Sequence, residues 1–167
     1  KGGLWKPDID YNVTDLTPDE FVQRLAQAPL AYQPGTVWEY SLATDLLGRV
    51  VEKASGERLG DFLDQRLFKP LGMTDTAFWV PQDKLSRLAQ PLANDPATGQ
   101  PIHLIDVAQQ PKEDSGGAGS VSTASDYLRF AQMLLNGGKL DNTVILSPTT
   151  VALMTSDQLG PQMRRVV

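Results

Sequence analysis

The sequence predicts a mainly α domain of the α+β kind with small β-hairpins, and three features point there. Apolar residues recur at helical spacing in five separate segments. Each of those segments is opened by a hydroxyl or cap-and-proline signal, or closed by glycine or proline, and only one stretch is rich enough in β-branched and aromatic residues to suggest a pair of strands. With 167 residues, 41% hydrophobic and 21% charged, the chain has an ordinary globular composition and enough length for one core, so residues 1–167 are read as a single helical domain.

The first helix is announced by Thr17-Pro18-Asp19-Glu20, which offers an N-cap hydroxyl, a proline at the first helical position and a carboxylate at the capping-box position. Phe21, Val22, Leu25 and Ala26 carry its apolar face, and Ala28-Pro29 ends it, because proline disfavours a helical residue before it. After a Gln33-Pro34-Gly35 turn, Leu42, Leu46, Leu47, Val50, Val51 and Ala54 lay down an apolar stripe, with Gly56 placed for a left-handed C-cap. A third helix puts Leu59, Phe62, Leu63 and Leu67 on one face and stops at Pro70 and Gly72. The link between these two helices is so short that they pack as neighbours. Residues 76–80 have the composition of a short strand, which residues 87–93 would pair across the polar 81–86 connection. Residues 94–119 are rich in Pro, Gly, Gln and Asp without periodicity, as expected of a long surface loop ending in Gly116-Gly117-Ala118-Gly119. Ser122-Thr123-Ala124-Ser125-Asp126 gives overlapping N-caps for a fourth helix, whose buried face is expected at Tyr127, Phe130, Ala131, Leu134 and Leu135 up to Asn136-Gly137-Gly138. Ser147-Pro148 starts the last helix, with Val151, Ala152 and Met154 facing inward.

Several function classes are disfavoured at once. The net charge is −5 and the 15 Lys and Arg are scattered, with only Arg164-Arg165 adjacent, so no basic stripe exists to neutralise phosphates and nucleic acid is not expected as a partner. No apolar run approaches the roughly 20 residues that span a bilayer, and Lys1-Gly2-Gly3 opens neither a signal peptide nor a natural start. The absence of cysteine rules out disulfides and thiolate chemistry while leaving periplasm and cytosol equally open. His103, the single histidine, stands in the irregular loop and reads as a solvated or packing side chain rather than a general base. No Gly-x-Ser-x-Gly elbow, Walker loop or His-Glu-x-x-His occurs, and the glycines at 116–119 lack the lysine and preceding apolar strand of a phosphate cradle. Glu57, Asp61 and Asp64 read as a solvated helix face. No metal and no cofactor are expected.

A more specific signal starts at Pro34-Gly35-Thr36-Val37-Trp38-Glu39-Tyr40-Ser41-Leu42. This segment resembles the Pro-Gly-x-x-(aromatic)-x-Tyr-Ser-(Asn or Leu) block of the serine β-lactamase-like hydrolases, a family that takes in class C β-lactamases, family VIII esterases and penicillin-binding-protein-like enzymes. The register continues through Leu47-Gly48-Arg49-Val50-Val51-Glu52, Ser55-Gly56 and Pro70-Leu71-Gly72-Met73-Thr74-Asp75-Thr76. Gly116-Gly117-Ala118-Gly119-Ser120-Val121-Ser122-Thr123-Ala124 with Asp126-Tyr127 is similar to the family's glycine-rich block, and Leu146-Ser147-Pro148 with Met154-Thr155 to a later one. The resemblance covers nearly the whole chain.

It implies an acyl-enzyme mechanism in which the serine of a Ser-x-x-Lys helix attacks an acyl carbon while a lysine and a tyrosine share proton transfer, with Tyr40 at the tyrosine position. A serine hydroxyl is a poor nucleophile at neutral pH, and a phenol beside an ammonium group takes and returns protons more readily. None of the nine serines is followed by lysine three residues on, and no Lys-Thr-Gly strand is present. The expected substrate is a small-molecule carboxyl ester or a lactam. Leu42 stands where the penicillin-recognising branch usually has asparagine, and leucine cannot bond a substrate amide, which favours esters. Trp38, Leu42, Gly117 and Gly119 are candidates for substrate contact, with core packing and a tight turn as competing readings of Trp38 and the glycines.

The implied fold is a fragment of the β-lactamase/transpeptidase-like fold lacking most of its antiparallel sheet, inactive alone. Such a fragment exposes an apolar face and is expected to associate with copies of itself. The chain opens and closes in mid-pattern, and Arg164-Arg165 offers a cleavage signal, so truncation is the expectation. The competing readings are a stand-alone helical binding module and an inactive relative kept as a regulator or scaffold.

Overall fold

The computed structural model describes residues 15–102, 104, 106–161 and 163–165, so His103 lies outside the described residues. Thr17 caps helix α1 (Pro18–Ala26) through the complete reciprocal box, its hydroxyl accepting from the Glu20 N–H while Glu20 accepts from the Thr17 N–H at 2.8 Å. Phe21 on this helix is fully buried with Leu16, and Leu25 and Leu42 close this small core. The Pro34-Gly35 turn then feeds β1 (Val37–Trp38), which enters α2 (Ala43–Ser55).

Gly56 ends α2 in the left-handed conformation, at φ 74°. Helix α3 (Leu59–Leu63) has no side-chain cap of its own. Glu52 of α2 supplies one, accepting the Leu59 N–H at 2.8 Å while pairing with Arg49. The two helices close on each other at Gly48, where a Cβ would lie 2.9 Å from the Leu59 side chain. They are neighbours, as the short link predicts.

Beyond Leu63 the helix does not stop at Pro70. It widens through a π-helical turn (Asp64–Phe68), with the Lys69 N–H reaching the Asp64 carbonyl, and continues as α4 (Lys69–Leu71) to a left-handed Gly72. Pro70 has no N–H to give and its ring crowds the carbonyl of the preceding turn, and the wider turn makes room for it.

The expected strand pair at 76–80 and 87–93 does not form. Ala77 bridges to Val121 instead, with reciprocal N–H···O bonds of 3.1 and 2.8 Å, and the Val80 N–H goes to the Val107 carbonyl at 2.7 Å. Residues 82–87 wind into a 3₁₀ helix (Gln82–Arg87) that returns Lys84 and Arg87 to Asp75, and these two cations hold the Asp75 carboxyl at about 2. The long loop that follows is a surface loop only in part, because Glu113, Asp114 and Ser115, just before its closing glycines, are buried.

Helix α5 (Ala124–Leu135) starts at a Thr123 cap. It buries Asp126 and Met133, whereas Tyr127, Ala131 and Leu135 of the expected face are exposed and Phe130 and Leu134 half-buried. Asp126 turns the helix: its carboxylate accepts the Asp75 N–H at 2.7 Å and the Thr76 hydroxyl at 2.8 Å, which draws that side inward. A hairpin of β2 (Lys139–Leu140) and β3 (Thr143–Val144) turns at Asp141, which takes a left-handed φ of 51°. Helix α6 (Pro148–Met154) keeps its Ser147 cap and buries Val151, but Ala152 and Met154 lie at the surface rather than inward. Short β4 (Arg164–Arg165) pairs in parallel with β1. The main core joins Phe68, Leu71, Met73, Met133 and Leu140, each side chain worth roughly 2 kcal/mol of burial.

Candidate active site

Tyr40 is fixed between a strand and a helix. On one side β1 is tied to β4, with Val37 opposite Arg164 and Trp38 opposite Arg165. On the other, the Ser41 hydroxyl oxygen accepts the Ala43 N–H at 3.3 Å and so helps open α2. The phenol is 62% exposed, and its hydroxyl donates to the Gly117 carbonyl at 3.3 Å, 77 residues away in sequence.

The glycine loop is held from beneath by charged and hydroxyl groups. Arg58 grips Asp114 bidentately, with N–H···O distances of 2.7 and 2.6 Å, and donates to the Pro111 carbonyl at 2.6 Å. Asp114 also accepts the Gly60 N–H at 2.9 Å. One residue on, the Ser115 hydroxyl donates to Asp45, and Asp45 accepts the Gly117 N–H at 3.3 Å as well. Glu113 is 1% exposed and its carboxylate accepts no hydrogen bond among the described residues. Burial pushes its carboxyl up to about 7 against the pull of Arg49, with Asp45 and Asp114 adding to the rise.

Behind this loop opens an apolar groove of ≈ 370 Å³ whose walls include Leu47, Val51, Leu63, Leu67, Phe130 and Tyr127, with residues 115–120 along one side. The apolar stripe of α2 is only partly used: Leu47 is 59% exposed, and Leu46 and Val50 also reach the surface.

Of the residues singled out from sequence, Tyr40 and Gly117 are brought into contact. Gly119 closes the loop, its N–H donating to the Ser115 carbonyl at 3.2 Å, and a Cβ there would lie 3.1 Å from the Phe78 ring. Trp38 is half-exposed on β1. Leu42 packs against the Leu16–Phe21 core. Neither Trp38, Tyr40 nor Leu42 lines the groove. Asp61 is exposed and Asp64 is paired with Lys69 at 2.5 Å, while Glu57 is half-buried rather than fully solvated. Sequence reasoning passed over Asp45, Arg58, Glu113 and Ser115. The available signals were an acid inside the leucine stripe of α2 and the Glu113-Asp114-Ser115 run directly before the glycines. No group of side chains able to hold a metal ion occurs among the described residues, and no described helix is long and apolar enough to cross a membrane.

Comparison with known proteins places the chain in a family. The chain is 38% identical over 155 residues to Protein Rv1367c of Mycobacterium tuberculosis, covering 89% of this chain and 37% of that protein. It is 34% identical over 157 residues to Esterase EstB of Burkholderia gladioli, covering 81% and 38%. Its fold matches simvastatin synthase of Aspergillus terreus with a TM-score of 0.70 at 27% identity, covering 97% of this chain and 42% of that one. The chain therefore spans less than half the length of the curated relatives it matches. The Beta-lactamase family model matches residues 2–167, and the chain belongs to that family of serine hydrolase-type proteins.

Proposed function

We propose that these 167 residues form the tyrosine-bearing helical segment of a serine hydrolase that works through an acyl-enzyme, with Tyr40 as its proton-transfer residue. The observation that carries this reading is the Tyr40 hydroxyl, exposed and aimed by the Gly117 carbonyl at 3.3 Å, inside the block that resembles the family's tyrosine motif. The serine and its lysine are supplied by sequence outside these residues. With its own phenolic proton first given up to the lysine, Tyr40 takes the serine proton as the serine oxygen bonds to the acyl carbon and passes it to the departing alkoxide. Tyr40 then takes a proton from the water that attacks the acyl carbon and returns it to the serine oxygen as the acid leaves.

Carboxyl esters are the proposed substrates. Leu42 is committed to packing against Phe21 and has no group to bond a lactam amide, and the esterase relative from Burkholderia gladioli supports the same class. Trp38, Gly117 and Gly119 are proposed to border the acyl group. The 167-residue chain by itself is inactive in this reading, and its exposed Leu46, Leu47, Val50, Tyr127 and Leu128 favour association with further copies or with the rest of the hydrolase.

The test is fluorophosphonate labelling of the chain followed by intact mass, beside p-nitrophenyl butyrate turnover by the complete hydrolase with and without Tyr40→Phe. No adduct on the chain and a loss of about 100-fold or more in kcat for the variant are expected. A stoichiometric adduct on a serine of this chain, or full turnover by the variant, overturns the reading.

A further inference from the structure

Five residues past Tyr40, in the first turn of α2, Asp45 is 5% exposed although the leucine beside it reaches solvent. A carboxylate is buried at such a place only at a cost that hydrogen bonds must offset. One oxygen, Oδ1, does the accepting. It takes the Ser115 hydroxyl and, at 3.3 Å, the Gly117 N–H. The Ser115 hydroxyl oxygen in turn accepts the Ala118 N–H at 3.2 Å, and the Gly119 N–H returns to the Ser115 carbonyl at 3.2 Å. The loop is thus wound around Ser115, and Asp45 ties it to the helix that Tyr40 precedes.

The approach is so close that side chains are excluded. A Cβ on Gly117 would lie 2.7 Å from Asp45 Oδ2 and one on Gly116 would collide with the Thr44 carbonyl oxygen. Gly117 is therefore held by its N–H from the Asp45 side while its carbonyl receives the Tyr40 hydroxyl. Nothing else among the described hydrogen bonds constrains the phenol. Its direction depends on where the loop sets that carbonyl, and small displacements of a proton-transfer group cost rate steeply.

We infer that Asp45 is a positioning residue: acting through Ser115 and Gly117, it sets the carbonyl that orients the Tyr40 hydroxyl. The functional half of this inference rests on the reading of Tyr40 as the proton carrier. The structural half stands without it, and the two are separable by experiment.

The first arm uses the 167-residue chain labelled with [¹³Cζ]tyrosine. Asp45→Ala and Ser115→Ala should each move the Tyr40 signal and leave those of Tyr32 and Tyr127 in place. Asp45→Asn, which retains the accepting oxygen, should keep the Tyr40 signal where it is. If Asp45→Ala does not fold, Ser115→Ala and Asp45→Asn decide the matter between them. An unmoved Tyr40 signal in Ser115→Ala, equal movement of the Tyr32, Tyr40 and Tyr127 signals, or displacement of the Tyr40 signal by Asp45→Asn overturns the inference. The second arm measures the complete hydrolase. Asp45→Ala should lower kcat by about tenfold or more with KM unchanged, and Asp45→Asn should restore most of it. A loss in KM alone, or no rescue by asparagine, overturns the positioning role. Full turnover in Tyr40→Phe would overturn the tyrosine's role and not the Asp45 coupling, which the NMR comparison decides on its own.

Discussion

Around Met133 and around Ser115 the chain closes on itself by opposite means. In the first region Phe68, Leu71, Met73, Met133 and Leu140 meet as apolar surfaces, and their contribution depends on area and fit rather than direction. In the second, Asp45, Glu113, Asp114 and Ser115 are buried just as deeply, but three of them are carboxylates. Arg58 satisfies one, Ser115 and Gly117 satisfy another, and Glu113 is left without a hydrogen bond among the described residues. Losing a side chain from the first region costs burial and fit but strands no charge. The second cannot lose a partner without stranding a charge. Among the described residues, the hydrogen bond of the Tyr40 hydroxyl goes to the second.

The largest effect expected from this contrast is in the charged region. Arg58→Met leaves Asp114 buried without its counter-ion and should cost about 4 kcal/mol, read as a fall in the urea midpoint at constant m-value. Combining it with Asp114→Asn should recover a large part of that loss, because the stranded charge goes with it. A single-variant loss under about 1 kcal/mol would mean that Asp114 is solvated and that the two regions do not differ in kind. Met133→Ala should cost somewhat less, about 3 kcal/mol from lost burial and the cavity left behind. It should leave the Tyr40 NMR signal unmoved, since among the described residues no hydrogen bond joins Phe68, Leu71, Met73, Met133 or Leu140 to the glycine loop.

The same contrast explains what could be read from sequence. Signals whose cause is local are legible: the Thr17-Glu20 box and the Gly56 cap each join residues within one turn. Helical periodicity finds the helices but not always which side is buried. On α5 the expected face at Tyr127, Ala131 and Leu135 is exposed because Asp126 bonds Asp75 and Thr76, 51 and 50 residues upstream, and no local pattern encodes that contact. The strand composition of residues 76–80 is real, but its partner at Val121 lies beyond any hairpin distance. In the candidate site, Tyr40 was found through its block. The Asp45–Ser115 bond joins polar residues 70 positions apart, and polarity at a buried position is what periodicity discards.

Glu113 allows a finer test of the charged region, through pH. Its folded carboxyl stands at about 7, raised by burial from an ordinary 4.5. Between those values the folded chain keeps a proton that the unfolded chain releases, so stability falls as pH climbs through this window and levels off above it. Glu113→Gln removes the titration. The variant should match the parent chain near pH 4 and exceed it at pH 8 by on the order of 3 kcal/mol at most, measured by urea melts across the range. A difference that is flat with pH would mean that Arg49 already neutralises Glu113 in the fold.

The smallest effect concerns the residue given the largest role. Tyr40 is mostly exposed, and the one hydrogen bond of its hydroxyl among the described residues, to the Gly117 carbonyl, is long and at the surface. Tyr40→Phe should therefore change the stability of this chain by less than about 1 kcal/mol, since exposed hydrogen bonds exchange with solvent at little net cost. A residue placed for packing would show the reverse, a clear loss of stability, as Met133 should. Near-unchanged urea midpoints together with the loss of turnover expected in the complete hydrolase would separate the chemistry of Tyr40 from its contribution to folding. A loss of several kcal/mol would instead place Tyr40 with the core, and any fall in turnover would then follow from a displaced glycine loop.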